Sequence, residues 1–279
     1  MHNKISAERR VSSNRIRRQT LAGMFYPKNA DELESFIAKA FENTVSSVSN
    51  PYGILAPHAG YIYSGHCAAV SYSKIDENFD GTFVILAPSH NGFMTSTSDM
   101  DWETPFGIVE SDKNFISVLG KYIPVDNRIA QAQENSIEVQ LPFIKYRFKN
   151  AKIVPVLLGE QSLQGAEYTA DGIIRAIKET GIIPKVIASG DGSHYVERNK
   201  ALNDDLECAA ALKNLDIIHF YRTLREVSPS MCGYGCMAAM AKICKTLGAK
   251  ESRVLIYETS GDATGDYSQV VGYLSMELV

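Results

Sequence analysis

Short apolar runs alternate with amphipathic segments along most of the chain. Runs of the buried-strand type are found at 52–56, 82–87, 153–158, 184–188 and 254–257. The segments between and after them have apolar residues at helical spacing: 64–73, 114–122, 137–148, 165–180, 202–212 and 234–247. Continuous apolar strands are typical of parallel sheets that are buried on both faces. The pattern therefore predicts an α/β fold with a largely parallel or mixed central sheet and helices on both faces.

Two further elements and one helix break follow from the same reading. Residues 31–41 place their apolar side chains on one stripe, which predicts an amphipathic surface helix. Residues 268–278 alternate in strand fashion and are predicted to complete the sheet. Pro142 should bend or restart the helix at 137–148, because proline removes a helical hydrogen bond.

The composition fits one domain preceded by a basic arm. The chain has 279 residues, of which 45% are hydrophobic and 22% charged, which is enough to bury one large core. We assign residues 21–279 to a single domain and residues 1–20 to the arm. The arm could be imagined as a twin-arginine export signal, but no apolar segment of the required length follows it. A solvated arm, or one that grips another subunit of an oligomer, is the preferred interpretation. Its charged residues are Lys4, Glu8, Arg9, Arg10, Arg15, Arg17 and Arg18.

Charge and cysteine content exclude several classes of function. The formal net charge of −4 gives no general attraction for phosphates, which argues against a nucleic-acid partner. No apolar run approaches the ~20 residues of a membrane span. Five cysteines are an odd number for a disulfide framework, so reduced thiols and a cytoplasmic location are expected. We assign four of these cysteines to the core: Cys67, Cys208, Cys236 and Cys244.

The positions of the histidines carry the chemistry. His58, His90 and His194 each follow a predicted buried strand. Ligands of open parallel sheets bind at the carboxyl ends of the strands, so three imidazoles are predicted at one crevice. Such a cluster suits a metal site or proton transfer near neutral pH. For any one of these histidines alone, a polar loop residue without function is the simpler interpretation.

Cys232 is the fourth candidate, because it directly precedes the helix at 234–247. The exposed amides of a helix N-terminus lower the pKa of a thiol, and the thiolate binds metals. Two histidines and a cysteine would leave open coordination positions, as in catalytic or redox sites. Asp191 lies close enough in sequence to orient His194 but could equally form a local turn. His66 in a helix and His219 in an irregular stretch are predicted to be structural, and His2 to be a weak metal scavenger at most.

Several sequence motifs, taken together, resemble those of the Memo family. They occur in order from near residue 18 to the end of the chain. They are AGMFYP at 22–27, APHAGY at 56–61, YSG at 63–65, APSH at 87–90, ENSIE at 134–138 with LP at 141–142, SGDGSHY at 189–195 and CG at 232–233. The resemblance implies a single α/β domain similar to the class III extradiol ring-cleaving dioxygenases, whose metal lies at the carboxyl edge of the sheet.

The resemblance also implies roles for individual residues. His58, His90 and Cys232 would be the metal ligands, and His194 would be the nearby unligated histidine, placed like the acid/base of those dioxygenases. We also predict Asp191 as a catalytic residue beside His194. Other residues would hold the ligands in place without binding the metal themselves: Glu138, Asn135 and Tyr61. Two positions depart from the family pattern, because Asn135 and Asn91 stand where the family usually has histidine. An amide cannot shuttle a proton, so a mechanism that needs histidine at either position is in doubt.

The predicted function is a metal-dependent redox enzyme that uses Fe(II) or copper. The alternatives are a non-catalytic protein that binds metal or a peptide in the same crevice, and a zinc-dependent hydrolase with His194 as base. Zinc also satisfies imidazole and thiolate donors. The partner would be an unidentified small molecule or peptide. Prokaryotic members of the family often accompany a radical-SAM protein, which implies a functional association.

Overall fold

A computed structural model describes residues 16–44 and 47–279. His2 and the arm residues up to Arg15 lie outside the described residues. The strands are β1 Ile16–Arg17, β2 Gly53–Ala56, β3 Thr82–Pro88, β4 Ser96–Thr97, β5 Asp101–Thr104, β6 Gly107–Val109, β7 Lys152–Leu158, β8 Lys185–Ser189, β9 His194–Val196, β10 Ser252–Thr259 and β11 Val270–Leu278. The helices are α1 Ala30–Glu42, α2 Tyr61–Ser73, α3 Lys113–Leu119, α4 Asn135–Glu138, α5 Leu141–Arg147, α6 Leu163–Thr180, α7 Arg198–Ala211, α8 Ile217–Val227, α9 Tyr234–Leu247 and α10 Ser260–Thr264.

The main sheet is mixed, with a parallel centre. Its strand order is β10-β11-β2-β8-β3-β7-β4. The strands β2, β8, β3 and β7 are parallel to one another. At one edge β11 pairs antiparallel with β2, and β10 pairs antiparallel with β11; at the other edge β4 pairs antiparallel with β7. The predicted α/β class is confirmed, and the sheet is of the mixed kind because β11 and β4 run opposite to the central strands.

The parallel strands are buried on both faces because each face carries its own core. Along β3, Val84 and Leu86 belong to one core, and Phe83 and Ile85 belong to the other. Side chains from α6 and α9 pack in the first core, while α1 and α2 pack in the second. This double covering explains the continuous apolar runs, since no strand face is left to water.

Two details of the predicted helices have clear outcomes. Pro142 does restart the helical segment, because α4 ends at Glu138 and α5 begins at Leu141 with the proline in its first turn. The assignment of His219 to an irregular stretch is wrong, because this residue lies in α8. The Asp216 side chain caps α8 by accepting hydrogen bonds from the amides of Ile218 and His219. An aspartate at this position is a sequence signal for the start of a helix.

Part of the predicted arm is packed into the fold. Ile16 and Arg17 pair with β5 in a second, three-stranded sheet, β1-β5-β6. Arg17 is buried and forms an ion pair with Glu138. The packed part of the chain therefore includes residues 16–20, and it begins before residue 21. None of the helices in the described residues has both the length and the apolar composition needed to cross a bilayer.

The topology brings three chain segments to one sheet edge. The parallel strands β2, β3 and β8 end at Ala56, Pro88 and Ser189. His58, His90 and the segment 190–194 follow these ends, so all three segments leave the sheet at its carboxyl edge. The N-terminus of α9 approaches the same edge, where a Cβ atom on Gly233 would lie 2.7 Å from the carbonyl oxygen of Ser189. Only glycine permits this approach, and its φ of 74° also favours glycine.

Candidate functional site

Three of the predicted site residues meet at this edge. His58, His90 and Cys232 each offer one potential ligand atom, and these atoms lie within 4.8 Å of one another. The Nε2 atom of His58 is 3.2 Å from the Sγ atom of Cys232. The rings of His58 and His90 meet edge to face, with centroids 5.2 Å apart. Residues that are far apart in sequence thus form one compact group.

The hydroxyl of Ser189 determines which nitrogen of His58 carries a proton. Ser189 is fully buried, and its Oγ atom lies 2.5 Å from the carbonyl oxygen of Ser136. A carbonyl only accepts, so the single hydroxyl hydrogen is donated there. The Oγ atom must therefore accept from Nδ1 of His58, which is 3.0 Å away. His58 is then the Nδ1–H tautomer, and its Nε2 has a free lone pair.

The side chain of Gln140 completes this arrangement. Its Nε2 atom donates to the Ser189 hydroxyl at 2.9 Å and faces the carbonyl oxygens of Ala56 and Pro57. These carbonyls fix the amide orientation, because only the nitrogen end can donate to them. The Tyr72 hydroxyl donates to Oε1 of Gln140 at 2.8 Å. Burial also lowers the pKa of His58, so its neutral form is favoured.

Replacing Ser189 with alanine is expected to release His58 from the Nδ1–H tautomer, because the variant removes the acceptor. In ¹⁵N spectra of histidine-labelled protein, the two ring nitrogens of His58 should shift from one tautomer pattern to an average of both. His90 serves as the internal control, because its ring is held by Glu134 instead. An unchanged His58 pattern in a folded Ser189→Ala variant would show that another group fixes the ring.

Glu134 plays the corresponding role for His90. Its carboxylate accepts from Nδ1 of His90 at 2.8 Å and from the His90 amide at 2.8 Å. This hydrogen bond raises the pKa of His90. Burial acts to raise the pKa of Glu134, but the hydrogen bonds from His90 outweigh it and leave that pKa below its usual value. His90 is thus oriented with Nε2 away from the carboxylate, as in carboxylate-supported metal ligands.

The thiol of Cys232 differs from its prediction. The helix N-terminus was expected to lower its pKa, but burial and the nearby charge of Asp191 raise the pKa of this thiol. The amide of Asp191 donates to Sγ at 3.3 Å, which only partly offsets those effects. Without a bound cation the group is therefore protonated, and Nε2 of His58 is the nearest acceptor for its hydrogen.

Asp191 and His194 lie beside this group. The carboxylate of Asp191 accepts from the His58 amide at 2.7 Å, so it supports the His58 loop. His194 is oriented by Ser230, whose carbonyl accepts from Nδ1 at 2.9 Å. The Nε2 atom of neutral His194 is therefore free of a proton. One ligand atom each of Asp191, His194 and Cys232 also lie within 4.8 Å of one another.

The two asparagines and Tyr61 have structural hydrogen bonds near the group. Asn135 donates to the carbonyl of His58 at 3.0 Å, and Asn91 donates to Glu134 at 3.3 Å. Both amides thus brace residues that carry or orient an imidazole. The Tyr61 hydroxyl donates to the carbonyl of Val139 at 2.7 Å, so it helps to place the α4–α5 corner rather than a ligand.

Glu138 has a different role from the predicted support of the ligands. Its buried carboxylate accepts from Arg17, from the backbone and hydroxyl of Thr20, from the amide of Leu21 and from the hydroxyl of Tyr26. Each of these donors belongs to the segment 17–26. Glu138 therefore anchors this N-terminal segment, while Glu134, at the start of the same helical turn, supports His90.

A cavity of about 470 Å³ opens above the group. Its polar lining includes His58, His90, Asp191, His194 and Asn135, and its other walls include Met24, Phe25, Tyr63, Tyr195 and Tyr273. Segment 17–26 thus supplies one wall through two of its side chains. The volume and the mixed lining suit a small molecule or a single side chain.

The match to known proteins covers nearly the whole described chain. The family model described as Memo-like protein matches residues 17–277. The chain belongs to the Memo family. Among its relatives, a MEMO1 family protein of Nitrosopumilus maritimus is 34% identical over 277 residues, covering 95% of this chain and all of the relative. One of Methanocaldococcus jannaschii is 38% identical over 282 residues, covering 94% and 98%. One of Methanosarcina barkeri is 37% identical over 265 residues, covering 94% and 99%.

Some residues that orient the imidazoles were not identified from the sequence. They are Glu134, Gln140, Ser189 and Ser230. Glu134 and Ser189 lie inside the motifs that resemble the Memo family, so those motifs contained a signal. Gln140 and Ser230 lie outside them, and only the folded arrangement shows that they contact the site.

Proposed function

We propose that this Memo-family protein is a metal-dependent oxidoreductase that holds Fe(II) or copper with His58, His90 and Cys232. The observation that carries the proposal is the fixed state of the two imidazoles. Each donates its Nδ1–H to a buried acceptor, which leaves Nε2 available beside one thiol. Proteins orient metal-binding histidines in this way, through the second ring nitrogen.

The donor set fits such a metal. Imidazole nitrogen suits iron, copper and zinc, and a thiolate favours the softer of these ions. When bound, the metal would supply redox chemistry and open positions for a substrate or dioxygen. The fold leaves room for them, since His58 and His90 line the cavity. Zinc would fit the same donors, so its presence is an outcome of the test.

The chain's own residues would bind, orient and move protons. Cys232 must lose its proton on binding a cation. His194 is placed to take up or return a proton at Nε2, because its Nδ1–H is bonded to Ser230. Asp191 holds the His58 loop through the backbone amide. The aromatic walls of the cavity would shield a bound small molecule from water.

Replacing His194 with asparagine is expected to slow turnover by about 10²-fold or more while metal content stays the same. The amide keeps a polar group at the position but cannot shuttle a proton. The measurement is oxygen consumption by anaerobically purified, iron- or copper-loaded protein with catechols and thiols as reductants. The matched control is His66→Asn, since His66 pairs with Glu258 away from the cavity.

Other results would favour the alternatives. Zinc in natively purified protein with hydrolysis of esters or amides would indicate a hydrolase. Stoichiometric metal without turnover of any of these compounds would indicate a binding protein for metal or peptide. Equal rates in His194→Asn and wild type would remove His194 from the mechanism.

A further inference from the structure

Every backbone amide of segment 190–194 donates a hydrogen bond, and together these bonds fix the segment. This segment carries Asp191 and His194 into the site. Its amides donate in turn to the Ala56 carbonyl at 3.1 Å, the Cys232 thiol at 3.3 Å, the Gly272 carbonyl at 2.7 Å, the Asp205 carboxylate at 2.9 Å and the Ser230 hydroxyl at 2.7 Å. The amide of Ser193 is the one of these five that has a carboxylate as its acceptor. Hydrogen bonds to charged groups are the stronger kind.

Asp205 is a buried carboxylate that the proposed chemistry does not use. It lies on α7 with no exposed surface. Besides the Ser193 amide, it accepts from the Ser193 hydroxyl at 2.7 Å and from the Tyr257 hydroxyl at 2.9 Å. No Lys, Arg or His of the described part of the chain forms a salt bridge with it. A carboxylate buried with hydroxyl and amide donors alone is costly to desolvate, so its position calls for an explanation.

The backbone around Asp205 is shaped to admit the carboxylate. A Cβ atom on Gly192 would lie 2.2 Å from its Oδ2 atom, and one on Gly272 would lie 2.3 Å away. Both glycines therefore let the chain approach the carboxylate more closely than any other residue would allow. The two glycines also belong to the pairing between the segment and β11, in which the Gly272 amide donates to the Ser193 carbonyl at 2.8 Å.

We propose that Asp205 is a positioning residue for His194 and Asp191. It fixes the backbone and side chain of Ser193, which directly precedes His194. The position of His194 then allows its amide and its Nδ1–H to reach Ser230. This inference rests on the proposed function only for the proton-transfer role of His194. The placement itself is independent of metal.

The test is Asp205→Asn, observed through the imidazole nitrogens of metal-free, ¹⁵N-histidine-labelled protein. Asparagine keeps one acceptor oxygen where the carboxylate offers two, and it carries no charge, so its hydrogen bonds to Ser193 are fewer and weaker. We expect His194 to change from the Nδ1–H pattern to a mixture of tautomers, while His58 keeps its pattern. Exchange of the Ser193 amide should become on the order of 10- to 100-fold faster, as expected for a lost charged hydrogen bond.

Two control variants separate positioning from general stability. Asp204→Asn removes the neighbouring carboxylate, which pairs with Lys200, and should leave His194 unchanged. Tyr257→Phe removes a donor from Asp205 without altering the segment, and it should also preserve the His194 pattern. A folded Asp205→Asn protein with an unaltered His194 pattern would overturn the proposal.

A further measurement covers the case in which Asp205→Asn does not fold. In wild-type protein, the Ser193 amide should exchange at least ~10²-fold more slowly than in an unfolded chain, as in other fixed elements. An unprotected Ser193 amide would overturn the proposal. Metal content is measured separately on wild type. Suppose that Asp205→Asn loses the His194 tautomer pattern while wild-type protein contains no metal. That combination would refute the proposed function but support the positioning role of Asp205.

Discussion

Replacing Cys232 with alanine is expected to reduce bound iron or copper from about one ion per chain to almost none. The variant removes the only sulfur donor of the group and leaves His58 and His90. Two neutral imidazoles without a charged ligand hold a divalent ion weakly at the edge of an open cavity. The thiolate also neutralises part of the cation charge in a buried position, where an uncompensated charge is costly.

The measurement is elemental analysis of protein purified anaerobically without added metal. The matched control is Cys236→Ala, because Cys236 lies in the first turn of α9, four residues after Cys232, but is fully buried in the core. This control should bind as much metal as wild type. His58→Ala should behave like Cys232→Ala, because Nε2 of His58 faces the same sulfur atom. Full metal content in both Cys232→Ala and His58→Ala would show that the ion is held elsewhere.

The convergence of the histidines could be predicted because it depends on topology alone. His58, His90 and His194 follow strands that the apolar runs identify, and parallel strands end at one edge. The position of Cys232 before α9 could be predicted in the same way. Its pKa could not, because the effect of a helix N-terminus is local whereas burial and the charge of Asp191 arise from the fold.

The groups that accept hydrogen bonds from the imidazole rings could not be predicted either, because their orientation also depends on the folded structure. Glu134 and Glu138 belong to one motif and lie four residues apart, yet the first contacts His90 and the second contacts Arg17. Sequence spacing does not show which carboxylate turns toward the site, since α4 is a single turn between two different surroundings. The small sheet that receives β1 was missed because its strands are only two to four residues long.

The second large effect is expected for Glu138→Ala, which should lower the free energy of unfolding by about 3–5 kcal/mol. The side chains of Arg17 and Glu138 are 2% and 1% exposed. Removing the carboxylate leaves the Arg17 guanidinium buried without its counter-charge. It also removes the acceptor for the amides of Thr20 and Leu21 and for the Tyr26 hydroxyl. The loss is therefore a desolvation penalty as well as a lost ion pair.

Urea unfolding of the Glu138→Ala and Glu103→Gln variants compares two carboxylates that each pair with an arginine of segment 17–26. Glu103 pairs with Arg18, the neighbour of Arg17, but the Arg18 side chain is 66% exposed. Such a pair contributes only about 0–1 kcal/mol, so Glu103→Gln should be nearly neutral. Similar small losses in both variants would contradict the anchoring role of Glu138.

Because Met24 and Phe25 line the cavity, release of segment 17–26 should also open the site to solvent. Destabilised Glu138 variants should therefore show faster amide exchange at residues 20–26 than at His58 and His90.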